Sequence, residues 1–378
     1  MPQQLELDAI LADPEIRIVV CCGAGGVGKT TTAAALALRA AERHGRRTVV
    51  LTIDPARRLA QSMGLTELDN TPSPVPGIDA TRGGELDAMM LDMKRTFDEV
   101  VLAHTTPEQA EQIFANPFYQ AMSSTFAGTQ EYMAMEKLSQ LSSRDQWDLI
   151  VVDTPPSRSA LDFLDAPKRL SRFLDSRMLR LLLAPARAGG SSVLKMFGAS
   201  LSLFGRVMQK ILGAQLLTDI STFVASLDSM FGGFAERAER TYRVLQAPQT
   251  RFLVVATPEP DAIREAGYFA GRLAEEHMPL AGLVLNRVHD VAVRDLSAER
   301  SLAAAESLEA ATATESASVT AQVLRLHAEL VRQVDRERRV AERFQRAHRQ
   351  VPVAEVPAQP EDVHDLDGLR VIGEALAR

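Results

Sequence analysis

Ile18-Val19-Val20-Cys21-Cys22-Gly23-Ala24-Gly25-Gly26-Val27-Gly28-Lys29-Thr30-Thr31 is an apolar run that gives way to glycines and a lysine. The first five residues read as a buried strand, and the Ala/Leu-rich stretch Thr30 to His44 reads as a helix. Between them, Gly23 to Thr30 fits G-x-x-x-x-G-K-[ST], the spacing of a phosphate-binding loop. Glycines let backbone N–H groups converge on phosphate oxygens, and the helix N-terminus adds positive potential. In that reading Gly23, Gly25, Gly26, Val27 and Gly28 supply the cradle. Lys29 reaches the β- and γ-phosphates, Thr30 holds Mg²⁺, and Thr31 caps the helix and touches the α-phosphate.

Outward from this loop, Gly45 fits a helix C-cap and Arg47 to Asp54 a second strand. Asp54-Pro55 is a good N-cap and first-turn pair for a helix over 56–63, stopped at Gly64. The stretch 65–84 is rich in Pro, Gly and Asn and reads as a surface loop, followed by a third strand over 85–93. Helices are expected over 94–104, 107–115 and 129–141, then a strand over 147–152 that runs into Asp153-Thr154-Pro155-Pro156-Ser157-Arg158. Strand patterning returns at 250–256, at 280–285 ending in Asn286-Arg287, and at 351–356, with a closing helix over 365–377. Strands alternating with helices predict an α/β fold with a doubly wound, mostly parallel sheet. Ligands in such sheets sit beyond the carboxyl ends of the strands, where Asp54, Asp153, Thr257, Asn286 and Val356 all fall.

The organisation expected is a phosphate-loop core over 1–93, 147–159 and 247–378, interrupted by helical insertions over 94–146 and 160–246. The second insertion is rich in Met and Phe (Met178, Met196, Met208, Met230, Phe197, Phe204 among them), with Gly198, Gly205 and Gly213 loosening it. Two readings stand: these side chains fill the insertion's own core or a dimer interface, or they form an adaptable groove for an apolar helix or lipid. Residues 303–319 are compositionally simple, which predicts a helix of loose register or a mobile segment within 297–348, and 324–344 a surer helix.

Composition bounds the class. The chain has 378 residues, 46% apolar and 24% charged, as an ordinary globular protein with a substantial core has. A net charge of −7 argues against a nucleic-acid partner. Cys21 and Cys22 are the only cysteines; adjacent in a strand, they point to opposite faces and read as core packing in a reducing cytoplasm. The stretch 1–15 has no signal-peptide pattern, and no apolar run reaches membrane-spanning length.

The set GAGGVGKTT at 23–31, TIDPA at 52–56, VVDTPPS at 151–157, ATPEP at 256–260, LNRV at 285–288 and VPVAEVP at 351–357 resembles the ArsA family of dimeric P-loop ATPases. That family includes arsenite-pump ATPases and eukaryotic ATPases that deliver tail-anchored proteins. The resemblance implies an ATP- and Mg²⁺-dependent ATPase. It implies that Asp54 is the switch I aspartate that orients the attacking water, and that Asp153 is the switch II aspartate near Mg²⁺, acting through water. It further implies that Asn286 reads the adenine edge, with the backbone around Val356 and Pro357 closing the base pocket. Each residue has a plainer alternative: Asp54 as a helix N-cap, Asp153 as a loop-capping carboxylate, Asn286 as a turn residue.

One departure from the family pattern matters. Where its members usually carry the lysine that crosses to the partner's phosphates, this chain has Ala24. Arg57, Arg58 or Arg158 are candidates to replace that charge. Otherwise the chain resembles the bacterial ArsA-like subunits that lack the lysine, and the working unit is a heterodimer with a lysine-bearing partner. Without further thiols, arsenite capture, a zinc clasp and an iron–sulfur centre are all disfavoured. A targeting GTPase is disfavoured because Leu285-Asn286-Arg287-Val288 lacks the guanine-reading Asp. Three functions therefore stand: an ATPase whose dimer closure controls a helical surface for an apolar protein segment or membrane partner, a low-activity regulatory subunit, and a positioning ATPase of the MinD/ParA kind.

Overall fold

The computed structural model describes residues 4–53, 58–117, 119–120, 123, 129–155, 239–311 and 315–377. The apolar run quoted above forms β1 (Ile18–Cys22), hydrogen-bonded on one side to β5 (Leu149–Asp153) and on the other to β6 (Thr250–Ala256). Every residue of β1 and β5 is buried, as expected of central parallel strands covered on both faces. The remaining strands are β2 (Arg47–Thr52), β3 (Ser73–Pro74), β4 (Glu85–Met90), β7 (Leu280–Val288) and β8 (Val353–Pro357). They complete one eight-stranded sheet in the order β3-β4-β2-β5-β1-β6-β7-β8. All pairs are parallel except the edge pair β3–β4. The expected doubly wound α/β sheet is present.

Helices cover the sheet. Among the described residues they include α1 (Leu7–Ala12), α2 (Lys29–His44), α3 (Arg58–Ser62), α4 (Met93–His104), α5 (Pro107–Ala115) and α6 (Thr129–Ser143), followed by α7 (Pro260–Glu275), α8 (Ala298–Ala311), α9 (Glu315–Ala347) and α10 (Leu366–Leu376). α2 follows the glycine loop and buries a continuous Ala/Leu face, Ala33 to Leu38 with Ala40 and Ala41, against the sheet and α10. It ends on Gly45, whose φ of +64° is the left-handed cap expected there. α1 and α10 are tied to it through Arg39, which donates two hydrogen bonds to Asp8 (2.6 and 2.7 Å) and pairs with Glu374 at 3.2 Å.

Two expectations need correction. The helix α2 is capped by Gly28, in the left-handed conformation at φ +94° and ψ +23°, and not by Thr31, which lies inside its first turn. The stretch 65–84 is not only surface loop: it contributes the edge strand β3 and the buried Asn70, whose amide oxygen accepts from Thr96 Oγ1 and Asp92 N–H at 3.0 Å each. Of the two readings of the simple stretch 303–319, helix or mobile segment, its described residues 303–311 and 315–319 take the helix, and 312–314 lie outside the described residues. α8 packs on the 33-residue α9, with Ala305, Ala321 and Ala328 buried and Ser301 Oγ 2.8 Å from His327 Nδ1.

The cysteines behave as expected. Both are buried, Cys22 Sγ donates to the Leu253 carbonyl at 3.5 Å, and burial pushes its thiol up to about 12 and Cys21 well up from the ordinary value. No helix among the described residues is long and apolar enough to cross a membrane. Residues 54–57 and 156–238 lie outside the described residues. With them lie Asp54, Arg57, Arg158 and most of the Met/Phe-rich stretch.

Candidate functional site

The parallel strands end on one edge, and the loop 23–28 between β1 and α2 runs along it. Backbone geometry dictates its glycines. Gly23 has φ +150°, and a Cβ there would stand 2.1 Å from the Val255 carbonyl oxygen of β6. Gly28 has φ +94°, and its Cβ would stand 2.2 Å from Asn286 Nδ2. Neither position admits a side chain. Gly25 and Gly26 are exposed at the crest of the loop, and Val27 is buried beneath it. The 16-residue α2 begins at Lys29, so the helix's unsatisfied N–H groups and positive end open onto this loop.

Lys29 is only 6% exposed, and its ammonium donates to the Ala24 carbonyl at 2.7 Å, bent back over the loop. Thr30 Oγ1 donates to Asp153 Oδ2 at 2.7 Å. Thr52 Oγ1, from the neighbouring β2, donates to the same oxygen at 2.9 Å. The register explains the meeting: Asp153 pairs with Cys21 of β1 on one side and Thr52 of β2 on the other. Thr154 pins the exit of β5, its N–H and hydroxyl both donating to the Cys21 carbonyl at 3.2 and 2.9 Å.

At the far side of the loop, Asn286 is 7% exposed and its amide donates to the Val27 carbonyl at 2.9 Å. Asn286 pairs in register with the fully buried Val356 of β8, and Val288 with the exposed Pro357. The strand edge therefore carries the loop 23–28, Asp153, Asn286, Val356 and Pro357, while Asp54 lies outside the described residues. Thr52 and Thr154 were missed; each is a hydroxyl at the carboxyl end of an apolar strand, which is the signal that marks them.

The donor set fits a metal–phosphate ligand. A cradle closed to side chains at Gly23 and Gly28, a lysine at its mouth and a helix N-terminus suit a phosphate chain. Mg²⁺ binds through hard oxygens and needs only one or two carboxylates beside substrate oxygens; Thr30 and Asp153 provide a hydroxyl and a carboxylate 2.7 Å apart. Among the described residues no cluster of three or more His, Cys, Asp or Glu side chains could form a closed cage.

Comparison with known proteins agrees. The family model for anion-transporting ATPases, ArsA_ATPase, matches residues 16–315. The chain is 29% identical over 177 residues to "ATPase ASNA1 homolog 1" of Paramecium tetraurelia, covering 46% of this chain and 51% of that one. It is 30% identical over 171 residues to "ATPase GET3" of Malassezia globosa (44% and 47%), and 26% identical over 280 residues to "ATPase GET3C" of Arabidopsis thaliana (70% and 65%). The chain spans about half the length of the Paramecium and Malassezia relatives it matches.

Proposed function

The chain belongs to the anion-transporting ATPase (ArsA) family, and from that premise we propose that it binds ATP with Mg²⁺ on the loop 23–31 and hydrolyses it. The observation that carries this reading is the convergence of Lys29, Thr30 and Asp153 with the helix N-terminus on one strand edge. Phosphoryl transfer asks little covalent chemistry of a protein; positioning and charge neutralisation do most of the work. Lys29 leaves the Ala24 carbonyl for the β- and γ-phosphates, and loop N–H groups hold the chain's oxygens. Thr30 and Asp153 would hold Mg²⁺, directly and through water, and the bound ion neutralises phosphate charge. Asp54 is assigned the orientation of the attacking water. Asn286, Val356 and Pro357 line the adenine side.

In this reading the protein works as a dimer in the cytoplasm, and its nucleotide state controls a helical surface that handles an apolar protein segment or a membrane partner. No nucleic acid is expected.

Ala24 favours one second reading. A methyl group cannot neutralise developing charge, and a cation supplied across an interface is worth about 10³–10⁵-fold in related phosphoryl transfers. A homodimer would lack that cation in both sites. The chain would then be a low-activity nucleotide-binding subunit, completed by a lysine-bearing partner. Steady-state ATP hydrolysis by the purified protein, with Lys29→Ala as the blank, separates the readings. Turnover well above the blank supports a self-sufficient ATPase; turnover equal to the blank removes it. Asp54→Asn should abolish turnover while nucleotide still binds, and unchanged turnover would take Asp54 out of the mechanism.

A further inference from the structure

Asn286 does something in this structure that reading a base would not require. Its amide nitrogen donates to the Val27 carbonyl at 2.9 Å, across 259 residues of sequence, and occupies the space that a Cβ on Gly28 would fill. The next carbonyl is engaged as well: Gly28 O accepts from Thr32 N at 2.9 Å. Two successive peptide planes of the phosphate loop, 27–28 and 28–29, are therefore fixed by named partners. In a trans peptide the N–H points opposite to the C=O. Holding the Val27 carbonyl toward Asn286 thus sets the direction of the Gly28 N–H, and the Gly28–Thr32 bond does the same for the Lys29 N–H.

The strand that delivers Asn286 is built to aim it. The β7–β8 register shifts between Asn286 and Val288, and Arg287 at the shift has φ +61°, a conformation uncommon for a non-glycine residue. A bulge at that point re-aims the side chains on either side of it. Asn286 is buried at the junction, so its donor is not lost to solvent.

We propose that Asn286 is a positioning residue for the phosphate loop: through its bond to the Val27 carbonyl it holds the loop in the phosphate-binding shape before any base arrives. The inference rests on the reading of residues 23–31 as a nucleotide site and adds to it a mechanical link between the base side and the phosphate side.

A ligand without a base separates the two roles. Binding of tripolyphosphate with Mg²⁺, measured by calorimetry, should weaken about tenfold in Asn286→Ala, the effect of one buried hydrogen bond. ATP should weaken at least as much. If Asn286→Ala weakens ATP alone and leaves tripolyphosphate unchanged, Asn286 reads the base only and the proposal is overturned. If the wild-type protein binds no tripolyphosphate at all, the phosphate-loop reading itself fails, and the proposal with it.

Hydrogen exchange on the ligand-free protein gives an independent measure should Asn286→Ala bind too weakly to titrate. Amides of 24–31 should exchange faster in Asn286→Ala while those of β1 and β5 keep their protection; equal exchange in the loop overturns the proposal.

Discussion

One oxygen of Asp153 accepts from Thr30 and from Thr52, at 2.7 and 2.9 Å, in a side chain with no exposure to solvent. Replacing it with Asn keeps the shape but sets an amide donor or a neutral acceptor against two hydroxyls and removes the charge that Mg²⁺ would meet. Asp153→Asn is expected to lower ATP turnover by about a hundredfold or more while the protein still folds; turnover within a few-fold of wild type would show the carboxylate to be a structural cap. Thr52→Val removes one of the two donors and should cost about 1 kcal/mol in denaturant unfolding. A second carboxylate is tied to stability and not to the site. Hydrogen bonds from Arg39 hold the Asp8 pKa down to about 2, against 3.8 for an ordinary Asp. Because the folded-state value lies below the unfolded one, the stabilisation is present above about pH 4 and is lost as pH falls toward 2. Unfolding free energy measured between pH 6 and 2 should fall more steeply for wild type than for Asp8→Asn, and parallel curves would deny the linkage. The meeting of Lys29 and Thr30 at the start of α2 follows from their motif's spacing, and Asp153 at the carboxyl end of β5 from the apolar run before it. Thr52 was not legible in the sequence, because its partner lies 101 residues away and only the β2–β5 register brings them together.

Among the elements, the helical pair α8–α9 is held at its root by a cluster on β7's exit. Glu337 accepts the His289 backbone N–H at 2.9 Å, lies 2.7 Å from its ring Nδ1, and accepts from Gln333 at 3.0 Å. His289 follows Asn286 by three residues, so the same strand end meets the phosphate loop on one side and α9 on the other. Glu337→Ala strips these donors of their acceptor and should destabilise the protein by about 1–3 kcal/mol; an unfolding midpoint unchanged from wild type would mean water satisfies the cluster equally well. This pair also shows where sequence reading stopped short: 324–344 read as a helix, but 303–319 could be taken no further than helix or mobile segment. Ala305, Ala321 and Ala328 are buried and Ser301 Oγ lies 2.8 Å from His327 Nδ1, and 303–319 carries few large apolar residues to mark a buried face, although Ala favours both helix and close approach. β3 escaped for another reason: two residues, one of them Pro74, show no alternation, and proline is tolerated there only because the strand is an edge. The long apolar strands β1, β5 and β6, by contrast, were readable to within a residue or two, since burial on both faces demands continuous apolar runs.

At the scale of the whole molecule, the parallel sheet does the assembling. Cys21, Thr52, Asp153, Asn286 and Val356 are scattered over more than three hundred residues, yet strand register brings them to one edge beside a single glycine loop. The fold class and that edge could be read in advance because α/β order constrains where strands end. What a partner or client would contribute could not, since Ala24 says only that this position of the loop carries no positive charge. On the proposed function, Gly23 to Thr31 grips a triphosphate through Lys29 and the start of α2. Equilibrium titration of ATP with Mg²⁺ into the wild-type protein and into Lys29→Ala tests it most directly. Wild type should bind saturably and the variant at least about tenfold more weakly, the loss of one charge-assisted contact. Equal affinity in both, or no binding by wild type, would contradict it.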